Sequence, residues 1–159
     1  WLAGLGWRVT ASDISQRALD RIRTEAERRD LTVELLHADA NALSPFPAAA
    51  FDLVSAFYAA IPRTPDDRAV RNILEAVAPG GTLLVVSHDP EPMRAAVASA
   101  GHGNLFDPDA YVRVEDFAVA LAGRSEWEIE VNETRPRPSG AASASHHVDD
   151  VVFRARRIS

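Results

Sequence analysis

The apolar run at residues 82–87 (Thr-Leu-Leu-Val-Val-Ser) constrains the fold of this chain more than any other segment. A strand with apolar side chains on both faces needs cover on both faces, which a parallel sheet flanked by helices provides. A helical pattern at residues 65–77 precedes the run, and another strand pattern at 51–57 precedes that helix. Parallel neighbours need a long crossover connection, and the helix supplies one. The sequence therefore predicts an α/β fold on a mostly parallel sheet.

The rest of the chain continues this alternation. Strands are predicted at 7–12, 32–37, 51–57, 82–87, 127–131 and 147–156, and helices at 15–29, 65–77, 91–100 and 114–121. No helical stretch separates the last two strands, so we expect them to pair as an antiparallel hairpin at the edge of the sheet. The pattern predicts one domain over residues 1–159, a three-layer α/β/α sandwich of Rossmann-like type.

Composition narrows the classes of partner. The net charge is −6, and all 17 basic residues are arginines that form no run on one predicted face. This argues against nucleic-acid and membrane partners, because both require a positive surface. The chain has no cysteine, which excludes disulfides and thiol catalysis. No apolar run approaches the roughly 18 residues of a membrane span and no signal-peptide pattern opens the chain, so a cytoplasmic location is the expectation.

Acidic residues follow the first two predicted strands, at Asp13 and at Asp39. In open α/β sheets, ligands bind outside the carboxyl ends of the strands. Asp13 is therefore placed to accept hydrogen bonds from a vicinal diol such as a ribose. Alternatively, it serves only to cap the helix that begins near Ser15 and to favour its positive end.

Four segments together resemble the class I S-adenosylmethionine-dependent methyltransferases. They are the strand with Val9, Ala11 and Asp13, the segment 37–40 (His-Ala-Asp-Ala), the strand start 51–54 (Phe-Asp-Leu-Val), and the helix–turn–strand segment 74–83 with its Pro-Gly-Gly turn. The closing antiparallel hairpin is a further point of similarity. In this order and at this spacing, the resemblance covers the whole chain.

The resemblance implies S-adenosylmethionine as cofactor and assigns its contacts. Asp13 would bind the ribose hydroxyls, Ile14 would pack on the adenine face, and Asp39 with Ala40 would meet the adenine amine. The wall beside the methyl group would be Ser55, Ala56 and Phe57. Ile14 has an alternative place in the hydrophobic core.

The resemblance also implies a first strand and a glycine-rich loop before Trp1, over roughly 25–35 residues, about one strand–helix unit. Residues 1–6 would then be the end of the helix that follows the loop. Since that first strand is central in the family, we expect a gap in the sheet or a repacked centre, and weak or absent cofactor binding and activity for residues 1–159 alone.

Candidates for the acceptor side follow the later strands. Candidate substrate-binding residues are Tyr58, His88, Asp89, Arg135 and Arg137, and candidate catalytic residues are Tyr58, His88, His146 and His147. An arginine pair suits a carboxylate, and a histidine near neutrality suits a general base. The alternative is that the candidates between the last two strands belong to a solvated loop; these are Arg135, Arg137, His146 and His147. The spacing of these histidines and Asp89 matches no compact metal motif, so no metal is predicted.

We expect a small-molecule methyl acceptor. Methyltransferases that act on base amines carry an Asn/Asp-Pro-Pro-aromatic stretch where this chain has Ser55 to Tyr58. The segment 101–113 resembles a substrate cover, and size and layout resemble the tellurite-resistance and thiopurine methyltransferases. Two alternatives stay open: an NAD(P)-binding oxidoreductase, which also places an acid after its second strand, and a non-catalytic cofactor-binding or scaffold relative.

Overall fold

The computed structural model describes residues 1–92, 94–95, 107–137 and 149–159. Its strands are β1 (Thr10–Asp13), β2 (Glu34–His37), β3 (Phe51–Phe57), β4 (Val77–His88), β5 (Trp127–Pro136) and β6 (Asp149–Arg157), and its helices are α1 (Gln16–Arg28), α2 (Arg68–Ala76) and α3 (Val114–Leu121). Short 3-10 turns lie at Ala3–Leu5 and Pro108–Ala110. The predicted α/β class is confirmed, with a mixed rather than wholly parallel arrangement of strands.

Four strands form one sheet in the order β3-β4-β6-β5. Strand β4 runs parallel to β3, as the crossover through α2 requires, and β6 runs antiparallel to both β4 and β5. The predicted closing hairpin is confirmed, with β5 at the edge and β6 inside. Strand β5 therefore runs parallel to β4, so its end lies at the carboxyl edge of β3 and β4.

Strands β1 and β2 form a separate parallel pair, in which Asp13 lies opposite His37. Within the described residues, β1 pairs with β2 alone and β3 pairs with β4 alone. The two sheets are thus not joined by backbone hydrogen bonds. Of the two arrangements expected from the sequence, the structure has the gap.

The hydrophobic core lies on the four-stranded sheet. Helix α2 buries Val70, Ile73 and Leu74, whose spacing places them on one helical face. They pack with Leu83 of β4 and with the rings of Phe117 and Phe153, whose centroids lie 6.4 Å apart. Burial of each such side chain contributes about 1.5–3 kcal/mol.

The Pro-Gly-Gly segment lies within β4, whereas the sequence predicted a turn that precedes the strand. Phe51 pairs with Val77 and Leu53 already pairs with Thr82, so residues 78–81 bulge out of the ladder. Gly80 has a φ of +80°, and a Cβ atom on Gly81 would come within 2.8 Å of the carbonyl oxygen of Ala78 and 2.9 Å of that of Phe51. Glycine is required at both positions for steric reasons.

Helices suited to crossing a bilayer, which are long and apolar throughout, do not occur in the described part of the chain.

Candidate active site

A cavity of about 640 Å³ lies between the two sheets. On one side it is lined by β1 and by the residues that follow β1 and β2, and on the other side by β3 and the residues that follow it. The seven residues assigned to the cofactor from the sequence all line it: Asp13, Ile14, Asp39, Ala40, Ser55, Ala56 and Phe57. The cavity coincides with the gap between the two sheets described above.

Asp13 ends β1 and is half-buried in the cavity wall. Its Oδ1 accepts the backbone N–H of Ser15 at 2.7 Å, while the Ser15 hydroxyl accepts the N–H of Ala18 and caps α1. Asp13 therefore shapes the turn into the helix, as the capping alternative requires. A carboxylate has about four acceptor positions, so this single bond leaves acceptor capacity toward the cavity.

Ile14 is held outside the core. Its side chain is 65% exposed and lines the cavity. Its carbonyl oxygen lies 2.8 Å from Nε2 of His37, a hydrogen bond in which the ring N–H donates. The alternative of a core position for Ile14 is wrong, because most of its side chain is exposed.

The loop after β2 is fixed by two asparagines. Asp39 accepts the N–H of Asn41 at 2.8 Å. Asn72 of α2 donates to the carbonyl oxygens of Ala40 and Ala42 at 2.7 and 3.0 Å. Helix α2, which belongs to the well-packed sheet, thus holds the loop of the other sheet. Asn72 was not predicted from the sequence, although a polar residue on an apolar helix face is a usable signal.

Tyr58 follows β3 and has a φ of +52°, a left-handed conformation that costs a non-glycine residue about 1–3 kcal/mol. Two hydrogen bonds hold it there. Its N–H donates to the carbonyl oxygen of Val86 at 2.8 Å, and its hydroxyl donates to Oδ2 of Asp150 at 2.8 Å. Tyr58 also lines the cavity.

Asp150 is the centre of a polar cluster beside the cavity, which we call the Asp150 cluster: Tyr58, His88, Arg137 and Asp150. Nδ1 of His88 lies 3.2 Å from Oδ1 of Asp150, and Nε of Arg137 lies 3.4 Å from Oδ2. The rings of Tyr58 and His88 are 4.5 Å apart, and the guanidinium of Arg137 lies 5.6 Å from the Tyr58 ring centre. Desolvation of the hydroxyl, and then its bond to Asp150, raise the pKa of Tyr58.

Among the described residues, Asp150 is the one buried polar or charged residue, at 8% exposure. It lies directly opposite His88 in the β4–β6 register. Asp150 was not predicted from the sequence because its partners come from three distant segments. The usable signal was an acidic residue that directly precedes the apolar residues 151–153 of the predicted strand.

The other acceptor-side candidates lie elsewhere. Asp89 accepts the N–H of Glu91 and donates its own N–H to the carbonyl of Asp149, so it shapes the turn after β4. Arg135 pairs with Glu133 on the exposed side of β5. His146 and His147 lie outside the described residues, as do residues 101–106 of the segment 101–113. No group of three or more potential metal ligands occurs in the described ranges.

Residues 1–81 match the protein family described as "Methyltransferase domain", which is 81 of the 159 residues. The chain belongs to the class I S-adenosylmethionine-dependent methyltransferases. It is 37% identical over 90 residues to a demethylmenaquinone methyltransferase of Thermus thermophilus, a match that covers 57% of this chain and 40% of that enzyme. The match thus spans less than half the length of this curated relative.

Solved structures share the fold. An S-adenosylmethionine-dependent methyltransferase of Methanosarcina mazei superimposes with a TM-score of 0.70 at 19% identity, over 99% of this chain and 85% of that one. The N-methyltransferase NodS of Bradyrhizobium japonicum, solved with S-adenosyl-L-homocysteine, gives a TM-score of 0.68 at 17% identity, over 96% and 67%. At these identities the similarity shows the fold alone.

S-adenosylmethionine is the cofactor of this methyltransferase domain. The residues of the cavity fit its nucleoside part. Asp13 ends β1 and Asp39 follows the adjacent strand β2, where a diol and an amine need acceptors, and the exposed apolar side chain of Ile14 lines the same cavity. Such an exposed isoleucine beside acceptor groups suits the face of a flat heterocycle.

Proposed function

We propose that this methyltransferase domain transfers a methyl group to a small-molecule acceptor. The observation that carries the proposal is the shared cavity: its β1 side offers acceptors for a nucleoside, and its β3 side ends at Tyr58, which belongs to the Asp150 cluster. One cleft therefore joins a cofactor surface to a polar surface suited to an acceptor.

On the cofactor side, each residue has a separate role. Asp13 accepts hydrogen bonds from the ribose hydroxyls, and Asp39 with the backbone at Ala40 accepts or donates at the adenine edge. Ile14 packs on the ring. Ser55, Ala56 and Phe57 form the wall toward the reacting centre, where 54% exposure of Phe57 leaves an apolar surface for ligand.

S-adenosylmethionine, when bound, supplies an electrophilic methyl group on a sulfonium sulfur. The task of the chain is to hold an acceptor in line with that group and to exclude water. Apolar wall residues such as Phe57 exclude water, and the Asp150 cluster supplies the polar contacts that orient an acceptor.

Two further facts support a small-molecule acceptor. The net charge of −6 does not favour a polyanion. The Thermus relative is named for demethylmenaquinone, itself a small molecule.

Isothermal titration with S-adenosylhomocysteine and, separately, with NAD tests the cofactor side. With the intact protein, we expect binding of S-adenosylhomocysteine and none of NAD. Glu27→Gln, an exposed change on α1 away from the cavity, is the control and should bind S-adenosylhomocysteine with the affinity of the native protein. Binding of NAD in place of S-adenosylhomocysteine would contradict the proposal and favour an oxidoreductase.

A transfer assay with methyl-labelled S-adenosylmethionine tests the reaction. We expect label to enter low-molecular-weight acceptors and to be absent from added DNA, RNA and protein. Cofactor binding without transfer to any acceptor would favour a non-catalytic relative, and label in nucleic acid or protein would contradict the small-molecule class.

A further inference from the structure

Two segments on opposite sides of the cavity are joined by one residue, Asn41. The first is the loop after β2, residues 38–42, which we call the Asp39 loop, and the second is residues 57–62, which we call the acceptor wall. The backbone N–H of Asn41 donates to Oδ1 of Asp39 at 2.8 Å, and its Nδ2 donates to the carbonyl oxygen of Pro62, also at 2.8 Å. Asn41 is not among the described residues that line the cavity, so it affects a ligand only through the residues it holds.

The acceptor wall is also held from its far side, by the segment that leads into α3. The carbonyl oxygen of Ile61 accepts the N–H of Val112 at 2.8 Å. The guanidinium of Arg63 donates to both carboxylate oxygens of Asp116, at 2.7 Å each. Pro62 lies between these two attachments, so the hydrogen bond from the Asp39 loop meets the wall where α3 already supports it.

Asn41 uses three of its polar groups on three different segments. Besides the two hydrogen bonds above, its carbonyl oxygen accepts from Nη1 of Arg68, at the start of α2, at 3.3 Å. The fourth group, Oδ1, is buried and has no hydrogen-bond partner among the described residues. A buried acceptor without a partner costs free energy, so this amide contributes little to net stability, and the domain should fold without it.

Methyl transfer is sensitive to the placement of the two walls. The cofactor and the acceptor must meet in line, and a displacement of about 1 Å can lower the rate about 100-fold. A carboxamide that joins the Asp39 loop to the acceptor wall fixes the distance between the surfaces that hold the two ligands.

We propose that Asn41 is a positioning residue, which sets the acceptor wall relative to the cofactor nucleoside by joining Asp39 to Pro62. When the nucleoside occupies the Asp39 loop, the acceptor wall is fixed with it. This inference rests on the proposed function, because it takes residues 57–62 as part of the acceptor side.

Asn72 provides the matched comparison. It is also an asparagine that holds the Asp39 loop, but it does so from α2, through the carbonyl oxygens of Ala40 and Ala42. Its described hydrogen bonds reach the loop alone, whereas those of Asn41 reach both the loop and the acceptor wall. The two side chains therefore separate support of the cofactor loop from its connection to the wall.

Nitrogen-15 NMR of the intact protein, titrated with S-adenosylhomocysteine, tests the inference. The reporter is the backbone amide of Val112, a residue outside the cavity lining that donates to the carbonyl next to Pro62. In the native protein we expect its resonance to shift at saturation. In Asn41→Ala the shift should fall below half, with Kd within about threefold of the native value, since the backbone N–H still orients Asp39. Asn72→Ala should weaken binding about tenfold and keep the shift at saturation.

Asn41→Asp is a second variant for the same test. It retains the shape of the amide but cannot donate to the carbonyl oxygen of Pro62, so it should behave as Asn41→Ala does, and it serves in its place should Asn41→Ala not fold. A native-size Val112 shift in these variants, or no shift in the native protein with S-adenosylhomocysteine bound, would overturn the inference. Equal effects of Asn41→Ala and Asn72→Ala on shift and affinity would also overturn it, because they would show a general loosening of the loop.

The two proposals fail differently. Absence of label from low-molecular-weight acceptors would contradict the proposed function, whereas the Val112 shift requires no acceptor and still decides the role of Asn41. Should the intact protein not bind S-adenosylhomocysteine, hydrogen exchange of the ligand-free protein decides it. The Val112 amide should then exchange faster in Asn41→Ala than in the native protein and at the native rate in Asn72→Ala, and a native rate in Asn41→Ala would overturn the inference.

Discussion

The two sheets of this domain differ in how they are held together. The buried cluster of the four-stranded sheet draws on α2, β4, α3, β5 and β6, and includes side chains with no exposed surface, such as Leu83 and Phe153. In the unit of β1, α1 and β2, by contrast, Leu19 is the buried residue, while Ile14 is 65% exposed and Trp7, just before β1, is 44% exposed. Yet the acids proposed for the cofactor, Asp13 and Asp39, belong to this second unit.

The difference indicates that most of the stability and the proposed contacts to the cofactor nucleoside belong to different units. Segments with few buried apolar contacts open at lower free energy than the core. A ligand that binds across the cleft stabilises the closed arrangement by mass action. Cofactor binding should therefore reduce local opening of the β1–β2 unit, whereas the four-stranded sheet should be stable without the cofactor.

The largest expected effect is that of Phe153→Ala. This ring is fully buried against Phe117, and its removal should lower the free energy of unfolding by about 3–5 kcal/mol. Chemical denaturation followed by near-ultraviolet circular dichroism measures it.

Leu19→Ala is the control for the comparison. It should speed hydrogen exchange of the α1 amides while leaving the denaturation midpoint of the four-stranded sheet nearly unchanged. If Leu19→Ala lowers the global stability as much as Phe153→Ala, the two units unfold as one and the comparison fails.

Asp13→Ala tests whether the unit of β1, α1 and β2 binds the cofactor. Loss of charge-assisted hydrogen bonds to the ribose should weaken cofactor binding by about 1.5–3 kcal/mol, roughly 10–150-fold in Kd. Titration calorimetry measures it. Asp13→Asn keeps an acceptor for the N–H of Ser15, so it separates loss of charge from loss of the turn. Unchanged affinity in both variants would show that Asp13 serves the turn alone.

Gly81→Ala should destabilise the four-stranded sheet by about 1–3 kcal/mol, because the new methyl group meets two carbonyl oxygens within 3 Å. Gly4→Ala is the matched change in the first 3-10 turn, where nothing lies within 4 Å of the added atom. Thermal unfolding compares them. Equal melting temperatures would mean that the bulge of β4 widens at little cost.

Gly81 also shows how far the sequence carries the fold. Hydrophobic periodicity and turn signals predicted β3 and α3 with the observed bounds, and the lack of a helical stretch between the last two strands predicted their antiparallel pairing. The start of β4 at Val77 was not predicted, because Pro-Gly-Gly is typical of a turn and the pairing that absorbs it is tertiary. Asp150 was missed for the same reason: its partners are set by strand register rather than by any local pattern.

The smallest expected effect concerns pH and the lightly packed unit. On α1, Arg28 and Arg29 hydrogen-bond Glu25 and lower the pKa of its carboxyl from 4.5 to about 2. Because the carboxyl holds fewer protons in the folded than in the unfolded state, its contribution is fully present above about pH 4.5 and is lost as the pH falls toward 2. The group is exposed, so solvent screening keeps the effect small.

Hydrogen exchange of the α1 amides between pH 5 and pH 2 should show increased opening, after correction for the intrinsic rate, and Glu25→Gln should remove the part of this trend due to Glu25. The core amides of β4 should not follow it, since Glu25 forms its side-chain hydrogen bonds with Arg28 of α1 and with Arg29 directly after it. A matching trend in β4 would show that the two units are coupled, and would thereby contradict the division of stability drawn from their packing.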